Sequence, residues 1–456
     1  MLLIHAAETA KNLESVRPQN DGHTTVPLEC QAGLTIAFGP MNSSTVLLLI
    51  GTVGTILTGN TARTDWPSFQ GPNGNSVADA KGLMKNWPEE GPRLEWSLPV
   101  GPGFAAAVVQ AGMVYLLDRK PGEQDILRCI ELDTGTEAWR YTYDAMGNID
   151  YAGSRTQPAV TDKHVFTAGP FGHVHCISKE TQKPIWLREL THEFDIGQPG
   201  WAFSQSPLLF RDVIILAPVA KDGGVVAYRQ DNGKLAWKSK RLEGQLGYTS
   251  PVLAKIAGVP QVVVATTAGL SGVDAQDGTI LWHNGDWTCG IPISSPLPIG
   301  DGLIFITGGY GAGAAMIEVR KHGQVFHAKT RFKTDKCRGQ IQPPVLHQGH
   351  LYLNGNDKAK NIGFLCMDLD GKVKWNTGTS PGFGWGGTLL ADDMLYVVDG
   401  NTGDLCMIHP DAGGYREAGR AHFLDGGEIW GYISLSNGKL LMRDQSKLVC
   451  VNVQTP

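Results

Sequence analysis

Aromatic, arginine and glutamine side chains recur together in this sequence, and they are the residues best suited to bind a ligand. The predicted binding set is Arg155, Trp201, Gln205, Tyr248, Arg338, Gln340, Trp385 and Trp430. The same stretches also contain Phe104, Tyr151, Phe203, Trp287, Phe383 and Tyr432. Aromatic rings supply flat area for stacking, and guanidinium groups bind carboxylates with two parallel hydrogen bonds. This composition favours a pocket for a planar or anionic ligand.

Residues for catalysis or metal binding are harder to find. The sequence contains no G-x-S-x-G or P-loop motif, so nucleophilic catalysis has no candidate. His173 and His175 lie two apart and share one face of a strand. No third ligand follows at a suitable spacing, and packing or surface roles are therefore favoured over a metal site. The sequence leaves the catalytic residues unknown, and we predict no metal ligands.

A recurring hairpin supplies the elements that must position the binding set. Its clearest copy, residues 129–139, reads CIELDTGTEAW. It predicts a strand, a tight Asp-Thr-Gly turn and a second strand that carries a tryptophan. Tryptophans that stand four residues after a turn glycine are Trp139, Trp237, Trp282 and Trp375. Copies recur about every 40 to 50 residues, which indicates a repeat protein.

Other copies of the hairpin depart from this pattern. Trp186 has the same four-residue spacing from the turn, but Gln182 stands in place of the turn glycine. Two copies are weaker, since Phe326 and His327 follow one turn glycine and only Tyr415 follows another. We expect the tryptophans to anchor neighbouring units rather than to do chemistry.

Each hairpin is preceded by a second recurring signal, a pair of apolar strands that a proline often introduces. The introducing pairs are Gln157-Pro158, Ser206-Pro207, Ser250-Pro251, Ser295-Pro296 and Pro343-Pro344. Each unit therefore holds four strands. The last unit, residues 432–453, contains only three strands. Residues 93–98 predict a single strand in which Trp96 occupies the position of the hairpin tryptophan. Joining the two ends closes the ring and removes its open edges.

The sequence thus predicts an all-β fold, an eight-bladed β-propeller of four-stranded blades over residues 94–456. Seven blades is the alternative if the unit around Tyr415 is irregular. In such a ring the binding set lies on loops around the central channel. An alternative role for these residues is structural, with the rings filling the channel and the arginines bonding backbone carbonyls.

The ends and the composition add further expectations. Residues 41–62 carry a short apolar run followed by small residues, which is typical of a secretory signal, with a buried or interfacial helix as the alternative. We expect residues 1–40 to be a non-native or disordered leader, with the natural start at Met41, and residues 63–93 to be an N-terminal extension. A net charge of -5 disfavours nucleic acid as a partner.

The positions of the cysteines favour free thiols over disulfide bonds. Third-strand positions in separate blades hold Cys129, Cys176, Cys366, Cys406 and Cys450. Equivalent positions in separate blades lie too far apart to bond, so these side chains should act as small buried apolar groups. Cys289 and Cys337 lie in loops of adjacent blades, where two free thiols are favoured over a disulfide.

The D-x-x-[TDN]-G-x-x-x-W hairpins resemble those of pyrroloquinoline quinone (PQQ)-repeat propellers. This group contains quinoprotein alcohol dehydrogenases and the outer-membrane β-barrel assembly lipoprotein. The segment DWPSFQGP, residues 65–72, is similar to the lead-in of secreted members from planctomycete-type bacteria. The resemblance implies a bacterial protein, periplasmic or extracellular, without a membrane span after processing and monomeric.

Two functions follow from the resemblance. One is a binding scaffold that takes a small molecule or an extracytoplasmic protein or peptide through its channel-mouth loops. The other is a PQQ- and calcium-dependent dehydrogenase of alcohols or sugars, with the cofactor above Arg155, Trp385 and Trp430. The sequence has neither the adjacent cysteine pair of the dehydrogenases nor a C-x-x-C-H haem motif. These two absences favour the scaffold.

Overall fold

The computed structural model describes residues 65–358 and 360–456. The expected leader at 1–40 and the signal-like segment at 41–62 lie outside the described residues. Two strands come before the repeats, β1 (Val77–Ala78) and β2 (Arg93–Pro99). Among the described residues, no helix combines the length and the apolar character needed to cross a membrane.

Four antiparallel sheets form the first half of the ring. Their strands are β3 (Val108–Gln110), β4 (Met113–Lys120), β5 (Gly122–Glu131), β6 (Glu137–Gly147); β7 (Ala159–Val160), β8 (His164–Ala168), β9 (His173–Ser178), β10 (Pro184–Glu189); β11 (Leu208–Phe210), β12 (Val213–Leu216), β13 (Val226–Arg229), β14 (Leu235–Lys238); β15 (Val252–Ile256), β16 (Val259–Thr266), β17 (Gly269–Asp274), β18 (Ile280–Asn284). One short helix, α1 (Leu190–Glu193), follows β10.

Four further sheets complete the ring. Their strands are β19 (Leu297–Gly300), β20 (Leu303–Gly308), β21 (Gly313–His322), β22 (Val325–Thr334); β23 (Val345–His347), β24 (His350–Asn354), β25 (Phe364–Asp368), β26 (Val373–Asn376); β27 (Thr388–Ala391), β28 (Met394–Val398), β29 (Asp404–Ile408), β30 (Glu417–His422); β31 (Ser434–Ser436), β32 (Lys439–Arg443), β33 (Lys447–Asn452). We number the blades 1 to 8 in this order.

The eighth blade closes the ring as predicted. Its outermost strand is β2, which pairs antiparallel with β33 and sets Trp96 opposite Cys450. The eight-bladed, all-β fold is confirmed, and seven blades is wrong. Blade 7 also gains a fifth strand, because β1 pairs parallel with the innermost strand β27.

The burial pattern follows from the sandwiching of each blade between two neighbours. Second strands such as β12 and β28 are buried along their whole length, because both of their faces meet another blade. Outer strands such as β22 alternate between exposed and mostly half-buried positions, because only one face is covered. The hydrophobic core is therefore a series of layers between blades.

A β-bulge precedes the anchor ring in the outer strand pairs. In blade 1, Trp139 lies opposite Cys129, and the next paired residues are Glu137 and Ile130, which leaves Ala138 without a partner. The same register shift occurs between the third and fourth strands of the other blades. A bulge turns the following side chain, and here that side chain is the anchor.

Several anchor rings pack on the turn glycine of the following blade. A Cβ on Gly135 would lie 2.7 Å from the ring of Trp96, and one on Gly233 would lie 2.5 Å from the ring of Trp186. Both glycines have left-handed backbone angles, φ 72 and φ 66, so a side chain there is doubly disfavoured. The Trp186 Nε1–H also donates to the Gln230 carbonyl at 2.9 Å.

Two anchors differ from the prediction. In blade 5 the residue after the bulge is Phe332, rather than Phe326 or His327, because the β21–β22 hairpin is long and places the bulge further from its turn. In blade 7 the position belongs to Gly419 rather than Tyr415. Trp87 of the extension covers this glycine, 2.8 Å from where its Cβ would lie. The extension thus supplies the ring that blade 7 lacks.

Polar residues before the first-strand prolines link blades around the channel. The backbone N–H groups of Gln157, Ser206 and Ser250 donate, each at 2.9 Å, to the hydroxyl of a serine one blade further on. The accepting serines are Ser206, Ser250 and Ser295. The serines of the recurring Ser-Pro pairs therefore connect blades 2 to 5 by hydrogen bonds.

Replacement of one anchor tests this packing. Trp186→Ala should lower the free energy of unfolding by about 3–5 kcal/mol, because it leaves a cavity over Gly233. Its neighbour Leu187 is 59% exposed, so Leu187→Ala should change stability by less than about 1 kcal/mol. Urea denaturation of both variants at neutral pH gives the comparison, and equal losses would contradict the anchor role.

Candidate functional site

The loops that enter the innermost strands lie at one mouth of the channel, together with the loops between second and third strands. They surround a pocket of about 180 Å³. The pocket's aromatic lining consists of Phe69, Phe104, Tyr151, Trp201, Tyr248, Tyr310, Trp385, Trp430 and Tyr432. Arg155 and Lys358 are the cationic lining residues, and none of the described lining residues is Asp or Glu.

Six of the eight predicted binding residues line this pocket. They are Arg155, Trp201, Tyr248, Gln340, Trp385 and Trp430. Gln205 lies in the wall behind the lining, where its amide donates to the Ala217 carbonyl at 2.8 Å and accepts from the Ala217 N–H at 2.9 Å. Both ends of the Gln205 amide are therefore used by the backbone of its own blade.

Arg338 also lies outside the lining of the pocket. Its Nη1 is 3.5 Å from Oδ2 of Asp357, and its Nε–H donates to the Asp335 carbonyl at 3.2 Å. The same Asp357 oxygen accepts the Gly311 N–H at 3.2 Å. This ion pair joins the loops of blades 5 and 6. Arg338, which the sequence predicted to bind a ligand, therefore stabilises the loops instead.

Three further aromatic residues of the predicted stretches belong to the core. Phe203, Trp287 and Phe383 are buried. The Trp287 Nε1–H donates to the Gly313 carbonyl at 3.3 Å, and Phe383 packs edge-on against Phe364. For these rings the structural alternative is the correct one.

The pocket rings form one network, in which Tyr151 lies 5.3 Å from Trp430 and 6.3 Å from Trp201 between ring centroids. Trp430 stacks on Phe104 at 4.9 Å between ring centroids and meets Trp385 edge-on at 5.2 Å. On the other side, Trp201 lies 5.4 Å from Tyr248 and 6.5 Å from Tyr310. A mouth lined by connected aromatic rings suits the insertion of another ring.

Arg155 is held by the loop that carries it. Its guanidinium donates to the carbonyls of Gly153, at 2.9 Å, and Tyr151, at 2.7 Å, and also to that of Asp150. Its Cζ lies 5.7 Å from the centroid of the Phe104 ring. Burial lowers the pKa of Arg155 to about 10, so the group stays charged at neutral pH.

The rim loops adopt backbone angles that non-glycine residues rarely use. Tyr151 and Tyr310 have φ 57 and φ 55, and Ala202, next to Trp201, has φ 68. Such residues cost on the order of 1–3 kcal/mol each and occur often at binding sites. Tyr151 and Tyr310 are also 42% and 40% exposed. The ring network fixes these tyrosines at the entrance.

Several lining residues escaped the sequence analysis. Tyr310 and Lys358 come from loops between second and third strands, which share a face with the entry loops in any antiparallel blade. That topology could have pointed to them. Phe69 comes from the extension, whose sequence has no repeat pattern to reveal its position.

The two histidines lie in a packed cluster between blades 1 and 2. The ring of His175 stacks on Tyr143 at 4.0 Å, and its Nδ1 lies 3.1 Å from the Tyr141 hydroxyl. In the described part of the chain, no group of three or more His, Cys, Asp and Glu side chains could hold a metal ion. All seven cysteines in that part are buried free thiols, Cys289 and Cys337 included.

Fold and site together define a closed propeller with an aromatic pocket at one mouth of its channel. Residues 122–363, just over half of the chain, match the family described as outer membrane protein assembly factor BamB. The chain belongs to this PQQ-repeat family, and the resemblance seen in the hairpins is confirmed.

Curated relatives match over shorter stretches. Quinoprotein alcohol dehydrogenase PedH of Pseudomonas putida is 20% identical over 164 residues, 35% of this chain and 27% of that protein. Quinoprotein ethanol dehydrogenase of Pseudomonas aeruginosa is 23% identical over 128 residues, 28% of this chain and 19% of that protein. The match thus spans about a quarter or less of these relatives' length.

Solved structures share the fold at low identity. BamB from Moraxella catarrhalis has a TM-score of 0.56 at 13% identity, covering 79% of this chain and 97% of that one. Quinohemoprotein alcohol dehydrogenase from Comamonas testosteroni has a TM-score of 0.58 at 14% identity, covering 86% and 81%. These likenesses establish the fold alone.

Because of the histidine cluster, we expect the folded protein to lose stability in acid. Burial, and then the neighbouring His173, lowers the pKa of His175 to about 4. The unfolded chain therefore takes up this proton first, and stability falls as the pH drops from about 6.5 to about 4. His175→Phe keeps the ring stack and removes the titration.

Between pH 7 and pH 4 the wild-type protein should lose about 3 kcal/mol more unfolding free energy than His175→Phe does. Urea denaturation at a series of pH values measures both. Parallel pH profiles for the two proteins would show that His175 does not carry the acid sensitivity.

Proposed function

We propose that this protein is a non-catalytic binding propeller, exported from the cell, whose channel-mouth pocket takes a ring-sized group of a ligand or of a partner polypeptide. The observation that carries the proposal is the pocket itself. Its walls are aromatic, its two charged lining residues are both cationic, and it lies on loops that a rigid ring of blades holds in place.

Pocket size decides how large the bound group is. A volume of about 180 Å³ is close to that of a dry cavity of roughly 150 Å³ known to hold benzene. Drug-sized ligands occupy pockets of about 300–1,000 Å³. The pocket therefore suits one six-membered ring, such as the side chain of a phenylalanine or tyrosine, with the rest of the ligand outside the mouth.

The charge of the lining residues indicates which chemical group lies beside the bound ring. Arg155 and Lys358 stand at a mouth whose described lining residues include no carboxylate, so a negative group beside the ring would be attracted. Part of the Arg155 guanidinium is already used by backbone carbonyls. Lys358, an exposed rim residue, is the better candidate to meet a carboxylate directly.

The alternative, a PQQ- and calcium-dependent dehydrogenase, fits these residues poorly. Calcium takes six to eight oxygen ligands, among which carboxylates dominate, and the described lining residues include none. The pocket also offers no aspartate or glutamate as a general base. We therefore derive no step through the cofactor.

Export and a polypeptide partner form part of the proposal. The signal-like segment at 41–62 supports export, and the family described as outer membrane protein assembly factor BamB makes a protein partner reasonable. The ring-sized pocket supports this as well, because aromatic side chains anchored in pockets dominate many protein interfaces.

Isothermal titration calorimetry with N-acetylphenylalanine and its amide tests the proposal. The carboxylate form should bind at least tenfold more tightly than the amide form, because it meets the cationic rim. Trp385→Ala should weaken both by tenfold or more, since it removes one wall of the pocket. Lys358→Met should abolish the preference for the carboxylate while leaving the amide unchanged.

Lys329→Met is the matched control for charge, because Lys329 is exposed on the outer strand β22 and does not line the pocket. It should leave both affinities unchanged. No heat of binding from either probe would count against the proposal. Stoichiometric binding of PQQ with calcium, coupled to reduction of a dye by an alcohol or sugar, would replace it with the dehydrogenase.

A further inference from the structure

Residues 65–78 of the extension run past blade 8, between blades 1 and 2 on one side and blade 7 on the other, and we name them the crossing segment. At one end, Trp66 exchanges two backbone hydrogen bonds of 2.8 Å with Val109 of β3. The Pro67 carbonyl accepts the Val160 N–H of β7 at 2.8 Å. At the other end, β1 pairs with β27. The segment is therefore fixed to blades 1 and 2 on one side and to blade 7 on the other.

Between these attachments the chain makes a tight turn that presents Phe69. The Gly71 N–H donates to the Ser68 carbonyl at 2.9 Å, and the Ser76 N–H donates to the Gln70 carbonyl at 3.0 Å. Gln70 and Gly71 both have left-handed backbone angles, φ 57 and φ 82. The conformation of the turn is thus defined at each of its residues.

Glycine is required at position 71 for a second reason. A Cβ there would lie 2.8 Å from the ring of Trp66, and Trp66 is only 1% exposed. The indole packs directly against the turn, so the turn cannot move toward Trp66 without a clash. The position of Phe69 is therefore set by packing from below.

From above, Phe69 lies in the pocket. It belongs to the pocket lining, and its ring meets Tyr432 edge-on at 5.0 Å between centroids. The other aromatic lining residues come from loops of the blades, whereas this one comes from the crossing segment. Phe69 is accordingly the part of the lining whose position is independent of the repeats.

We propose that Phe69 is the floor of the binding pocket and determines its specificity, by limiting the depth to which a bound group can enter to one ring. This inference rests on the proposed function, since it concerns the same pocket. Truncation of Phe69 should extend the pocket by the space of a phenyl ring and shift its preference from one-ring to two-ring groups.

The test compares N-acetylphenylalanine with N-acetyl-3-(2-naphthyl)alanine, which differ by one fused ring, in calorimetric titrations. The wild-type protein should bind the naphthyl probe at least tenfold more weakly than the phenyl probe. Phe69→Ala should bind the naphthyl probe at least tenfold more tightly than the wild type does. Phe69→Leu, which keeps more of the ring's volume, should fall between the two.

Val77→Ala is the matched control, because Val77 belongs to the crossing segment without lining the pocket. It should loosen the attachment to β27 and leave the ratio of the two affinities as in the wild type. A shift in the ratio equal to that of Phe69→Ala would mean that loosening, and not the floor, sets the size limit, and would overturn the inference.

The remaining outcomes separate the two proposals. If the wild type binds the phenyl probe while Phe69→Ala and Phe69→Leu keep its size preference, the floor is wrong and the proposed function stands. If neither probe binds the wild type or the variants, the proposed function falls and the inference with it. Circular dichroism and the melting temperature establish that each variant is folded.

Discussion

The structure depends on aromatic rings of one blade that pack against the following blade, several of them on its turn glycine. A bulge aims the ring, and a glycine with positive φ makes room for it, as for Trp96 with Gly135 and Trp186 with Gly233. Because each blade alone would expose both of its faces, this contact converts separate sheets into a closed core. Where the pattern fails, another ring takes its place, as Trp87 does over Gly419.

The rigid ring of blades allows its loops to be strained and exposed without loss of the fold. Serine hydroxyls tie neighbouring inner strands together, so the loops that enter those strands leave from fixed points. Tyr151 and Tyr310 can then hold left-handed backbone angles at the entrance of the pocket. A pocket that is held in this way has little ordering left to do when it binds, which favours affinity.

The extension has three structural roles in one stretch of chain. Its crossing segment pairs with the inner strands of blades 1 and 7, Trp87 completes blade 7, and the extension runs directly into β2, which closes blade 8. A single segment therefore links the closure of the ring to the floor of the pocket. In a propeller whose repeats resemble one another, this non-repeating segment is also what makes the channel asymmetric, because blades 1, 2 and 7 are covered on their inner edges.

The sequence by itself determined the blade count, the ring closure and the anchors such as Trp139, because hairpins and turns depend on short-range chemistry that repeats along the chain. It also placed Arg155, Trp201 and Trp385 near the channel, since loop position follows from strand order. Tertiary structure alone decided that Gln205 would bond the backbone of its own blade and that Arg338 would pair with Asp357 of another loop. It alone brought Phe69 under a pocket built from loops far apart in sequence, because packing in three dimensions leaves no periodic trace in the chain.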